Sequence, residues 1–192
     1  MPPTKSTAKR FFKKHWSNVL LVFFIVLMIF PQVRLPVVAT VQRVIAFAPS
    51  TTKDGAVLQD YNWSLMDLEG HSLSFDSAKD QVGVLNFWAT WCPPCVAEMP
   101  YFQRLYDRYG DRVQFYFVSD ETPEVIHSFM AKHQYTLPVQ IMRGPPPENL
   151  QSKALPTTFI FGKDGKIHVK KRGSAKWDSK SVFNLLDELL AE

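Results

Sequence analysis

Residues 82–88, VGVLNFW, form a nearly continuous apolar run of strand length that leads within four residues into Cys92-Pro93-Pro94-Cys95. Such a run is the pattern of a strand buried on both faces, so something must cover each side of the sheet that holds it. From Pro94 to Tyr109 the residues Val96, Met99, Phe102, Leu105, Tyr106 and Tyr109 recur at spacings of three and four, and Gly110 follows as a stop. That spacing predicts a helix. VQFYFVSD (113–120) reads as a second strand, and Thr122-Pro123-Glu124 opens a second helix with Thr122 as its cap. A short strand is expected over 137–142 and a brief helix near 148–154. Residues 157–173 make a hairpin about Lys163-Asp164-Gly165, and Asp178 is expected to cap a last amphipathic helix. Residues 61–75 alternate on either side of Glu69-Gly70, an added N-terminal β-hairpin. The sum is an α/β fold of three layers, a mixed central sheet flanked by helices on both faces.

The formal net charge of +4 comes from one end of the chain. Residues 1–53 hold eight Lys or Arg and no Asp or Glu, whereas residues 54–192 hold fourteen basic and eighteen acidic side chains. A folded part with that excess of acid is a poor partner for nucleic acid, whose phosphates call for a basic face. Residues 16–33 carry no charge, and Val19 to Phe30 is apolar throughout. About 17 to 20 such residues span a bilayer core, so 16–33 is expected to be a transmembrane anchor. Lys5, Lys9, Arg10, Lys13 and Lys14 precede it, which puts the basic tail 1–15 in the cytoplasm and the rest outside. A cleaved signal peptide is the alternative, but Pro31, Gln32 and Arg34 stand where a cleavage site should follow, and the pattern Ala46-Phe47-Ala48 comes late and is followed by Pro49. Residues 34–56 are a juxtamembrane linker and 57–192 the folded domain.

Cys92 and Cys95 are the only cysteines. Two are too few for a disulfide framework or a four-thiolate zinc site. At the start of a helix, a sulfur on Cys92 meets unpartnered N–H groups and the positive end of the helix dipole, which favour the thiolate. Pro93 and Pro94 occupy the one stretch of helix where a missing N–H costs little. Cys95, one turn on, is placed to resolve a mixed disulfide formed at Cys92. Pro100 removes a hydrogen bond deeper in the helix and is expected to kink it.

NFWATWCPPC, Pro100 and LPTTFIFGKDGK together resemble the thioredoxin superfamily, in particular its membrane-anchored TlpA- and ResA-like thiol-disulfide oxidoreductases, over roughly residues 57–190. The resemblance implies a thioredoxin-like fold and several residue roles. Cys92 is the nucleophile and Cys95 resolves. Pro156 takes a cis bond beside the cysteines and, with Leu155, receives the substrate backbone; locally it is an ordinary loop proline. Glu98 matches a C-x-x-C-x-x-E pattern in which the carboxyl exchanges protons with the cysteine pair, although a lone Glu on a helix is ordinarily just solvated. Asn86 stands where thioredoxin has a buried aspartate, so proton traffic cannot use that side chain. Trp91 and Pro93 shape the docking surface, while Trp88 belongs to the core. No cofactor or metal is expected beyond the redox-active pair, and His71, His127, His133 and His168 show no ligand spacing.

The activity so implied is reduction of protein disulfides outside a bacterial cytoplasmic membrane, in the periplasm or at the outer face. Partners are disulfide-containing clients, apocytochrome c thiols among the classes suggested, and a membrane electron donor that restores the dithiol. An oxidant or isomerase on the same scaffold is the alternative. A peroxiredoxin-like peroxidase, suggested by Thr90-x-Cys92, and a copper-binding thiol module stand further off. The loop RGPPPEN (143–149) reads as a stiffened surface loop or as a determinant of client choice.

Overall fold

The computed structural model describes residues 20–23, 25, 49 and 55–192, and the chain divides into two units, Met1–Val38 and Ala39–Glu192. In the first, residues 20–23 and 25 are helical and exposed. Among the described residues no helix is long and apolar enough to cross a membrane. The remainder of the expected anchor (16–33), all of the basic tail (1–15) and nearly all of the linker (34–56) lie outside the described residues.

The second unit holds a seven-stranded mixed sheet in the order β2-β1-β5-β4-β3-β6-β7. Its strands are β1 (Ser64–Met66), β2 (Ser72–Ser74), β3 (Gly83–Phe87), β4 (Gln114–Ser119), β5 (Val139–Arg143), β6 (Thr157–Phe161) and β7 (Ile167–Arg172). Its helices among the described residues are α1 (Pro93–Tyr109), α2 (Pro123–His133) and α3 (Lys180–Ala191). β3 runs parallel to β4, and β4 to β5, while β6 is antiparallel to both β3 and β7. β1 and β2 pair antiparallel, and β1 joins the sheet through β5.

Every residue of β3 is buried, as its apolar run requires. Val84 belongs to one apolar cluster, and Leu85 and Phe87 to the other. The layers differ from expectation, because the three α-helices share one cluster and do not divide between the faces. Met99, Phe102 and Leu105 of α1, Ile126 and Met130 of α2, and Val182, Leu186 and Leu189 of α3 all join it. The reason is topological: β3-α1-β4 and β4-α2-β5 step across the sheet in the same direction, and right-handed crossovers then place both helices on the same side. The opposite face is covered by Leu58, Trp63 and Leu65, by Phe75 and Ala78 in a 3-10 turn (Phe75–Ala78), and by Leu150 in a second one (Glu148–Leu150). That second turn is all that forms of the helix expected near 148–154.

Two caps also differ. Thr122 is the N-cap of α2 but makes no side-chain cap bond; its side chain meets that of Glu124. Ser179, not Asp178, is the N-cap of α3, because the Asp178 carboxylate accepts a 2.7 Å bond from Arg104 on α1. Gly83 is required by close packing: a Cβ there would run into the ring of Phe161 on the neighbouring strand. Gly83→Ala is therefore expected to destabilise the domain by about 1–3 kcal/mol in urea unfolding, the usual range for overpacking a tight core.

Candidate active site

The chain leaves β3 at Phe87, turns at Thr90 and Trp91, and enters α1 with Cys92 as its N-cap. The Cys92 N–H donates to the Ala89 carbonyl at 3.3 Å, and the Val96 N–H to the Cys92 carbonyl at 3.1 Å. Pro93 and Pro94 have no N–H, so the Cys95 amide is the first-turn donor left uncommitted among the described hydrogen bonds. Cys92 and Cys95 form a disulfide with their Cα atoms 5.3 Å apart. Cys92 retains 4% exposure and Cys95 none, so what solvent access the pair keeps is at Cys92. Pro100 lies inside α1.

The turn before the cysteines is tied down by Glu121. Its carboxylate accepts from both the N–H and the hydroxyl of Thr90, each at 2.6 Å, and from Ser119 at 3.4 Å. This links the Thr90-Trp91 turn to the end of β4, a contact no sequence pattern announces.

Phe87, the last residue of β3, pairs with Thr157, the first of β6. The register puts the segment preceding β6 at the same end of the sheet as the cysteine turn. The Leu155-Pro156 peptide is cis, Pro156 is buried, and its carbonyl accepts from the Gly173 N–H at 2.9 Å. Leu155 remains 37% exposed and Trp91 61%, so both present apolar surface beside the site, whereas Trp88 is 1% exposed and packs against Phe129 in the core. Pro93 is partly buried.

Glu98 is fully buried on α1, three residues beyond Cys95 and so on the same side of the helix. It is not solvated. One carboxylate oxygen accepts from Asn86 Nδ2 at 3.0 Å; the other accepts from Trp177 Nε1 at 2.7 Å and from the Ala175 N–H at 3.3 Å. Burial pushes its pKa up to about 8, against the opposing pull of the Trp177, Asn86 and Ala175 bonds and the positive charge of Lys171. Asn86 Nδ2 also donates to Thr158 Oγ1 at 2.9 Å, and its Oδ1 is buried with no partner among the described residues. A protonated Glu98 supplies the O–H that a turned Asn86 amide would accept, so the cradle suits the neutral acid as well as the anion.

Sequence reasoning missed Trp177, Thr158 and Glu121. Thr158 follows from the sheet register once β3 and β6 pair, because Asn86 and Thr158 are direct neighbours. Trp177 lies 79 residues from Glu98, and nothing local marks it. Replacing it by Phe keeps a ring to stack on Phe102, 5.1 Å away, but removes the donor to Glu98. Trp177→Phe should cost about 1–2 kcal/mol and raise the Glu98 pKa further, read as an upward shift in the pH midpoint of the protein's stability curve.

A helix-capping dithiol pair beside a buried carboxyl and a cis-proline loop can exchange disulfides. Known proteins with similar sequences carry names that speak of the same chemistry. A thiol-disulfide oxidoreductase ResA of Bacillus cereus is 37% identical over 109 residues, covering 55% of this chain and 63% of the relative. The sporulation thiol-disulfide oxidoreductase A of Bacillus subtilis is 31% identical over 112 residues, covering 55% and 67%. The chain thus spans less than two thirds of the length of the ResA protein. A crystal structure of a putative thiol:disulfide interchange protein DsbE from Chlorobium tepidum superposes with a TM-score of 0.60 over 71% of this chain and 96% of its own; at 22% identity this shows the shared thioredoxin-like fold. The AhpC/TSA family matches residues 59–170, from just before β1 into β7 and more than half of the chain, and this protein belongs to that family.

Proposed function

We propose that this protein is a membrane-anchored thiol-disulfide oxidoreductase that reduces protein disulfides outside the cytoplasm. The observation that carries the reading is the Cys92–Cys95 disulfide at the N-terminus of α1 with buried Glu98 one turn beyond it. In the reduced protein the Cys92 thiolate attacks one sulfur of a client disulfide. A Cys92–client bond forms, the client S–S bond breaks, and the client's other sulfur leaves as a thiolate that takes up a proton. Cys95 passes its proton to the Glu98 carboxylate and attacks Cys92 Sγ, which expels the second client thiolate and closes the Cys92–Cys95 bond; a proton released from Glu98 balances the one this thiolate takes up, and the carboxylate is restored. The client has gained two electrons and two protons, and the cysteine pair has lost two electrons. A dithiol donor at the membrane restores the pair.

Leu155, Pro156, Trp91 and Pro93 receive the client backbone at the rim of the site, and residues 16–33 hold the domain at the outer face of the membrane. The peroxidase alternative calls for a threonine hydroxyl free to act at the cysteine, and the Thr90 hydroxyl is bound to Glu121. The test is equilibration of the protein with graded ratios of reduced and oxidised glutathione, reading the disulfide fraction. A potential well below that of the glutathione couple is expected; one well above it makes the protein an oxidant or isomerase.

A further inference from the structure

Half of the basic side chains of residues 54–192 fall in one short stretch. Residues 151–177 hold seven Lys or Arg and a single acid, Asp164, in a folded part whose acids otherwise outnumber its bases. That stretch is the segment leading to Pro156, strands β6 and β7, and the approach to α3.

Two hollows open beside it. The smaller, about 250 Å³, is walled by Phe87, Trp88, Asp120 and Leu155, at the active-site end of the sheet. The larger, about 600 Å³, is walled by Pro145, Gln151, Lys153 and Arg172. Pro146, Ser152, Lys153 and Ala154 line both, so they form one groove. Its walls are braced: Gln151 Nε2 donates to the Pro146 carbonyl at 3.3 Å, Thr157 Oγ1 to the Ala154 carbonyl at 2.7 Å, and Ser152 Oγ meets Thr157 Oγ1 at 2.8 Å. Lys153 stands on the wall that the two hollows share and Arg172 at the far end, both exposed and neither in an ion pair among the described residues. Asp120, the one acid on the walls, stands at the near end.

We propose that this groove docks an extended, acidic flank of the client polypeptide, a few residues from the client's cysteine; the proposal rests on the thiol-disulfide reading above. The near end, apart from Asp120, is walled mainly by apolar side chains and takes the residues next to the cysteine. Lys153 and Arg172 meet carboxylates further along, where complementary charge steers encounter and fixes the direction in which the client lies. Pro145 and Pro146 make the outer wall stiff, which gives the 143–149 loop a part in client choice. An anionic membrane surface would also attract basic residues, but a braced groove continuous with Leu155 fits a chain better than a plane of headgroups.

The experiment uses the full chain, reduced and held in a neutral detergent, with two synthetic disulfide peptides that differ only in carrying three Glu or three Lys beyond the cysteine. Stopped-flow tryptophan fluorescence is expected to show the Glu peptide reduced about tenfold faster at low salt. The preference should vanish near 1 M salt, where the screening length falls to about 3 Å. Lys153→Glu/Arg172→Glu should abolish or invert the preference. Hydroxyethyl disulfide, too small to reach the groove, is the internal reference. Equal rates for the two peptides, or a preference that survives the double variant, overturn the proposal. So does a double variant that loses binding to phosphatidylserine vesicles while its peptide preference is intact, since the basic face then serves the membrane. A wild-type protein inert toward hydroxyethyl disulfide overturns the oxidoreductase reading itself.

Discussion

Cys92→Ser should abolish disulfide exchange completely, while Cys95→Ser should leave the first step intact and turn the protein into a trap. The asymmetry follows from the start of α1. Cys92 is the N-cap, with the remaining exposure of the pair, and Cys95 is fully enclosed one turn on. A thiolate at Cys92 draws on the helix dipole and on the Cys95 amide, which the two prolines leave as the uncommitted first-turn donor. With Cys95 replaced, the Cys92–client bond has no internal attacker and persists until an external thiol cleaves it. Non-reducing gel electrophoresis with a disulfide-bonded protein substrate checks this: a high-mass adduct, released by reductant, is expected for Cys95→Ser and absent for Cys92→Ser. Adducts in the reverse pattern would make Cys95 the attacking sulfur and refute the assigned order.

The sequence carried this part of the site because its determinants are local. A buried strand, a cysteine at the strand-to-helix junction, prolines in the first turn and a three-and-four apolar stripe are all read within 28 residues of one another, from 82 to 109. What the sequence did not carry depends on contacts between distant segments. Asp178 stands at a plausible capping position, yet Arg104, 74 residues earlier, takes its carboxylate and leaves Ser179 at the cap. The side of the sheet on which α2 lies is fixed by the order of β3, β4 and β5, which no periodicity encodes. Glu98 reads locally as an ordinary solvated side chain on a helix, and only the family resemblance singles it out. Its burial comes from Asn86 below and from Trp177 and Ala175 arriving on the approach to α3. Half of the buried carboxyl's setting was legible in Asn86 and Glu98, and the other half was an indole with no local mark.

The second large effect concerns that buried carboxyl. Its pKa is raised from an ordinary 4.5 to about 8 in the folded protein. Between those values the folded state holds a proton that the unfolded state has released, so stability falls as pH rises. The contribution is fully present below about pH 4.5 and is lost as pH climbs through about 8. The span corresponds to a loss on the order of 5 kcal/mol. Glu98→Gln has no proton to lose, and its urea-unfolding free energy should lack this fall over the same range. Gln can accept from Trp177 and Ala175 with its oxygen, and its amide then faces Asn86, which turns to present Oδ1 as it does for the protonated acid. The variant is therefore expected to be close to the wild type in stability at pH 4 and the more stable protein at pH 9. The two stability curves diverge as pH rises. In the reduced protein the same substitution should remove the limb near pH 8 from the rate of mixed-disulfide resolution, because Cys95 loses its proton acceptor. Parallel stability curves would show that Glu98 does not titrate in this window, and an unchanged resolution profile would take it out of the proton path.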